Sequence, residues 1–174
     1  MKYYLVTGKK EYMERGIAAL RASWNLQILK EYENMNPGNV KNIDTIDDVD
    51  KGSVFENYGH FGKDERIPGY IMFDWGIGTA LTATAFVKEN FGDLYIDFKE
   101  KNIFGIDGVK VSSYEFQKDR VIINLELIQG KSYILVKSRD SPSGKVKIVI
   151  NDTILIEKQK SELDHGFKYE TKLN

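Results

Sequence analysis

Two hydrophobic periods follow one another along this chain. From about Lys9 to Asn34, apolar residues recur every three or four positions at Met13, Ile17, Leu20, Trp24 and Ile28. That spacing lines one face of an α-helix. Ala18, Ala19 and Ala22 favour the same state, Gly16 weakens it, and Pro37-Gly38 ends it. A second helix is predicted from Trp75 to Asn90, with Asp74 at the N-cap position and Gly92 at the stop. Its small residues between Gly78 and Ala85 predict a helix packed closely by neighbours. Ahead of both helices, Tyr3-Tyr4-Leu5-Val6 leads into a Thr7-Gly8 turn. That apolar run fits either the last turn of a helix or a short strand on the later β half.

After Gly92 the period falls to two. Val121, Ile123, Leu125 and Leu127 alternate with Ile122, Asn124 and Glu126, and Val146, Ile148 and Ile150 alternate with Lys145, Lys147 and Val149. Such alternation marks strands with one buried face. Tyr133-Ile134-Leu135-Val136, Leu94–Phe98, Val109–Phe116 and Thr153–Ile156 complete about six strands. Asn151-Asp152 reads as a tight hairpin turn, and Gly105–Gly108, Gln129–Lys131 and Ser141–Gly144 read as further turns. The expected fold class is therefore α+β, with two or three N-terminal helices and a C-terminal antiparallel β-sandwich. The expected divisions are a helical segment at 1–92, a sandwich at 93–158, and a polar tail at 159–174 read as a loose arm or a short helix.

Between the helices, from Asn36 to Phe73, no period holds. A loop of that length in a compact domain is usually functional or disordered. Phe55, Tyr58, Phe61, Tyr70 and Phe73 point to an ordered one.

Composition narrows the function classes. The chain has 174 residues, 41% hydrophobic and 29% charged, which is a globular balance. Its net charge of −1 argues against nucleic-acid binding driven by electrostatics. No apolar run reaches the length of a membrane span, so no membrane partner is expected. Zero cysteines exclude disulfides and thiolate chemistry, and two histidines exclude a three-histidine zinc site. The acidic run Asp44, Asp47, Asp48 and Asp50 does not match the calcium-loop pattern. No phosphate-loop, dinucleotide or nucleophile-elbow motif occurs, and no cofactor or metal is expected. With no secretion leader in the chain, a cytoplasmic location is expected.

Candidate chemistry concentrates between Asn57 and Trp75. Tyr58, His60, Asp64, Asp74 and Trp75 are the candidate ligand-binding residues, with Arg66 and glycines 59, 62 and 69 among them. Aromatic faces beside carboxylate, imidazole and guanidinium groups are the mix that carbohydrate sites use. Each residue also has a plainer role: His60 bonding loop backbone, Asp64 in a solvated cluster with Glu65 and Arg66, Asp74 as an N-cap, and Trp75 as a core anchor. A hydrolase using His60 with Asp64 or Asp74 would lack a recognisable nucleophile. No catalytic residue is assigned.

Tyr4-Leu5-Val6-Thr7-Gly8 followed by Tyr12-Met13-Glu14-Arg15 and Ala18-Ala19-Leu20-Arg21 resembles a helical hairpin of the α/α-toroid proteins. Phe73-Asp74-Trp75-Gly76-Ile77-Gly78-Thr79-Ala80 resembles the loop-to-helix segment lining the mouth of such a toroid. A β-sandwich after the last helices is similar to the layout of many toroid glycosidases and polysaccharide lyases. The resemblance implies the C-terminal portion of a larger glycan-processing protein, with a glycan as its partner. It carries no catalytic assignment onto these residues. The competing expectation is a non-catalytic interaction module that self-associates or binds another chain through its helical surface.

Overall fold

In the computed structural model, the described residues are 1–25, 54–55, 58–60, 66–68, 71–72, 75–152 and 154–170. The chain divides into two compact units. One combines Met1–Arg15 with Phe86–Asn174, and the other is Gly16–Ala85.

The helices fall where the threefold-to-fourfold spacing puts them. Helix α1 spans Lys2–Thr7, α2 spans Lys10–Asn25, and a third, α3, spans Trp75–Phe91. The predicted continuation of α2 to Asn34 lies outside the described residues. Of the two readings of the N-terminal segment, helix is correct for its backbone. The other reading also holds one truth, because α1 belongs to the β unit. It ends at Gly8, whose φ of 68° is left-handed and whose N–H returns to the Tyr4 carbonyl at 2.8 Å.

Within Gly16–Ala85, the α2 stripe buries Ile17 and Leu20, and the Trp24 indole N–H donates to Thr84 Oγ1 at 3.1 Å. The stretch expected as one loop contains two nested antiparallel ladders. The outer joins β1 (Val54–Phe55) to β4 (Ile71–Met72), and the inner joins β2 (Tyr58–His60) to β3 (Arg66–Pro68). The small residues of α3 do not imply burial. Gly78, Thr79, Leu81, Thr82, Ala83 and Ala85 are exposed. Alanine suits a helix through low entropy cost whether or not it is covered.

The β unit holds two four-stranded sheets. Its strands are β5 (Leu94–Asp97), β6 (Asn102–Gly105), β7 (Val109–Phe116), β8 (Arg120–Leu127), β9 (Tyr133–Arg139), β10 (Lys145–Ile150), β11 (Ile154–Gln159) and β12 (Phe167–Glu170). A short helix, α4 (Lys160–His165), precedes β12. The strand orders are β11-β10-β8-β7 and β12-β9-β5-β6. Leu94, Ile96, Ile134 and Val136 from one sheet share a core with Val121, Ile123, Leu125, Val146, Ile148 and Ile150 from the other. Leu163 of α4 closes this core. The α+β class with a sandwich-like C-terminal part is thus as expected.

Two details differ from the expectation. Among the described residues the two large sheets hold eight strands, since β6 and β12 join the six anticipated. The sheets are also mixed: β5 runs parallel to β9, and β8 parallel to β10, while the remaining pairs are antiparallel. Strands β5/β6, β7/β8 and β10/β11 are hairpins of chain neighbours, but β5 and β9 meet only after the chain has visited the other sheet. Such a return through a long connection is what parallel pairing requires.

Asn151 reinforces one central pair. Its side chain accepts from the Leu125 N–H at 2.8 Å and donates to the Leu125 carbonyl at 3.0 Å, extending the β8–β10 ladder past the last strand residue. Asn151 and Asp152 both have positive φ, 50° and 56°, as the predicted turn demands.

Candidate functional site

The five residues expected to meet a ligand are unequally placed. The backbones of Tyr58 and His60 form β2, opposite Pro68 and Arg66 respectively. Trp75 opens α3. Asp64 and Asp74 lie outside the described residues. The inner ladder therefore sets His60 against Arg66 in backbone register, and Trp75 follows the outer ladder after two further residues.

Polar chemistry also gathers around β5, away from the candidate ligand residues. Asp93 and Asp97 flank and end β5, and both are fully buried. Asp93 accepts the Leu135 N–H at Oδ2, 2.8 Å away, while its own N–H reaches the Leu135 carbonyl at 2.7 Å. Its Oδ1 pairs with Lys88 of α3 and lies 3.5 Å from Lys131 Nζ. Asp107, in the β6–β7 turn, sits 2.5 Å from Lys88 Nζ and 3.4 Å from Lys131 Nζ. Burial alone would raise the Asp107 pKa, but the two ammonium groups outweigh it and hold the carboxyl below its ordinary value. Burial would likewise lower the Lys88 pKa, and its bonds to Asp107 and Asp93 instead raise it. The four charges fasten the end of α3 to the loops of the sandwich.

The second cluster surrounds Asp97. Its Oδ2 accepts the Tyr4 hydroxyl at 2.8 Å and its Oδ1 accepts the Glu100 N–H at 2.9 Å. The Tyr4 ring stands edge-on to Phe104 at 5.3 Å and to Tyr95 at 6.4 Å, and Phe91 meets Tyr95 at 5.0 Å. Arg139 Nη1 donates to the Leu5 carbonyl at 2.8 Å. Burial, then the Asp97 carboxylate, pushes the Tyr4 and Tyr95 hydroxyls above the usual phenol range, so both stay protonated.

These clusters have a sequence signal. Asp93, Tyr95 and Asp97 alternate with Leu94 and Ile96, so a strand places them on the face opposite the core residues. Carboxylates there suggest water until the helices above them are known. In both clusters each carboxylate is matched by donors, an arrangement suited to fixing a structure. Among the described residues, no group of three or more His, Asp or Glu could hold a metal ion. Among them, too, no helix is long and apolar enough to cross a membrane.

No family model, curated protein or solved structure matches this chain.

Proposed function

We propose that this is a carbohydrate-active or carbohydrate-binding protein, the C-terminal portion of a larger glycan-processing one. The supporting observation is the concentration of Tyr58, His60, Asp64, Arg66, Asp74 and Trp75 in one stretch of sequence, of which Tyr58, His60 and Arg66 stand in the inner ladder and Trp75 opens α3. Aromatic faces suit sugar C–H surfaces, and the polar groups suit hydroxyls. The resemblance to α/α-toroid proteins, many of which carry a β-sandwich after their last helices, is the second support for the reading. A glycan array followed by thermal-shift titration tests the reading. A polysaccharide that raises Tm is expected, and silence across the array sinks the proposal. His60→Ala and Trp75→Ala should weaken that binding while leaving the β unit folded; unchanged affinity would remove those residues from the site.

One observation favours a second reading, an interaction module. Tyr3 and Val6 on α1 are 73% and 85% exposed. Apolar side chains displayed side by side on a helix suit a protein partner. Sedimentation at rising concentration should then show association that Tyr3→Ser with Val6→Ser abolishes; a monomer throughout excludes self-association.

A further inference from the structure

We infer that α1 is a detachable strap whose Tyr4 fills a ring-binding pocket on the β unit, so that lifting α1 opens a site for a hydroxylated six-membered ring. This inference is independent of the glycan reading and uses none of its residues.

The helix has little of its own to hold it. Six residues are far fewer than the roughly 12–15 that an isolated helix needs to be even marginal in water. No side chain caps its N-terminus, and no acidic residue sits in its first turn. Tyr4 is its one buried residue. Its other attachments are the part-buried Arg139 bond to the Leu5 carbonyl and three contacts nearer the surface. The Met1 amine reaches the Tyr12 carbonyl at 3.5 Å, the Tyr3 and Tyr12 rings touch at 5.7 Å, and Lys2 Nζ sits 4.9 Å over the Phe86 ring. At the other end Gly8, already left-handed, supplies a natural hinge.

What lies beneath has the composition of a site. Tyr95 and Phe104 are aromatic walls, Asp97 is an acceptor at the base, and Arg139 stands at the rim, bonded to the Leu5 carbonyl. Tyr4 engages it as a ligand would, with its ring in T-shaped contact with Tyr95 and Phe104 and its hydroxyl on the carboxylate. When α1 lifts, Asp97 loses the Tyr4 donor and Arg139 loses an acceptor. Asp97 keeps the Glu100 N–H but has an oxygen open to any incoming group that replaces Tyr4 on both the carboxylate and the rings. A ring carrying a hydroxyl does so, and it competes directly with α1, because the docked and lifted states cannot both be occupied.

Hydrogen exchange on the full chain tests the strap. The Gly8 N–H, bonded to the Tyr4 carbonyl, reports on α1, and the Asp93 N–H, bonded to the Leu135 carbonyl, reports on the sheet. Gly8 should be protected at least ~10-fold less than Asp93, the mark of a local opening. p-Cresol, which reproduces the Tyr4 side chain, should speed Gly8 exchange further. Equal protection of the two amides, or no response to p-cresol, overturns the proposal. Tyr4→Ala gives a second reading. Its Tm should rise with p-cresol and not with toluene, which lacks the hydroxyl. Equal rises would mean an apolar cavity only, and no rise with either would mean no site; both outcomes defeat the inference. Should that variant fail to fold, the exchange measurement on the natural chain still decides.

Discussion

The two sheets of the β unit share one plan and differ in what lies outside them. Each has a central parallel pair flanked by antiparallel strands. In β11-β10-β8-β7 the outward positions of the central strands β8 and β10 are half-buried or exposed, and burial alternates along both, as in Lys145–Ile150. In β12-β9-β5-β6, strand β5 is buried at all four positions. Its inward residues Leu94 and Ile96 join the core, while outward Tyr95 and Asp97 are covered through Tyr4 and Phe91. A sheet covered on both sides needs apolar or fully paired side chains on both faces. The buried Tyr–Asp bond is how β5 meets that demand with a carboxylate.

Substitutions on the two outer faces measure how deep this difference runs. The largest effect is expected from Tyr95→Ala, which empties the covered face. Unfolding by urea should show a loss of roughly 3–5 kcal/mol, the range for a large buried aromatic. A loss below about 1 kcal/mol would mean the face is not covered in solution. Tyr4→Phe keeps the packing and removes only the hydroxyl bonded to Asp97. It should cost about 1–3 kcal/mol, since a buried acceptor loses its donor. The open face gives the smallest effect. Lys110 and Glu126 are paired at 3.1 Å but well exposed. Lys110→Ala should change stability by no more than about 0.5 kcal/mol.

The ion network beside the covered face adds a dependence on pH. Asp107 has a folded pKa below its ordinary 3.8, so its contribution is complete above 3.8 and is lost as pH falls through the lower folded value. Lys88 has a folded pKa above its ordinary 10.5, so its contribution is complete below 10.5 and is lost as pH rises through the higher folded value. Urea midpoints should therefore fall at both extremes. In Asp107→Asn the acid fall should be shallower, and an unchanged acid limb would show that Asp107 does not drive it.

The same contrast explains what could be read in advance. Strands β8 and β10 were legible because one face of each is buried and the other is not, and alternation is the imprint of that asymmetry. Strand β5 lacks the asymmetry, so its type could be read but not its covering. Strand β6 is four residues long, and β12 hides in a tail whose lysines and glutamates masked the alternation of Phe167 and Tyr169 with Lys168 and Glu170. Parallel pairing was illegible, because strand patterns record burial and not partners. Of the candidate ligand residues, the ladder positions of Tyr58 and His60 and the helix start at Trp75 have a described backbone. Asp93 and Asp97 escaped because a carboxylate in a strand resembles a solvent-facing residue until a donor is found above it.

The way the chain closes the β unit has a consequence for its biosynthesis. Met1–Arg15 joins Phe86–Asn174, and Asp93 bonds Leu135 across 42 positions of sequence. Met1–Arg15 leaves the ribosome before the strands it packs with and must wait for them. Contacts so distant along the chain slow folding. Until β9 arrives, β5 has apolar residues and an unpaired edge open to other nascent chains, the condition under which chaperones bind. Folding of this unit is thus tied to the synthesis of its later strands and cannot proceed segment by segment in chain order.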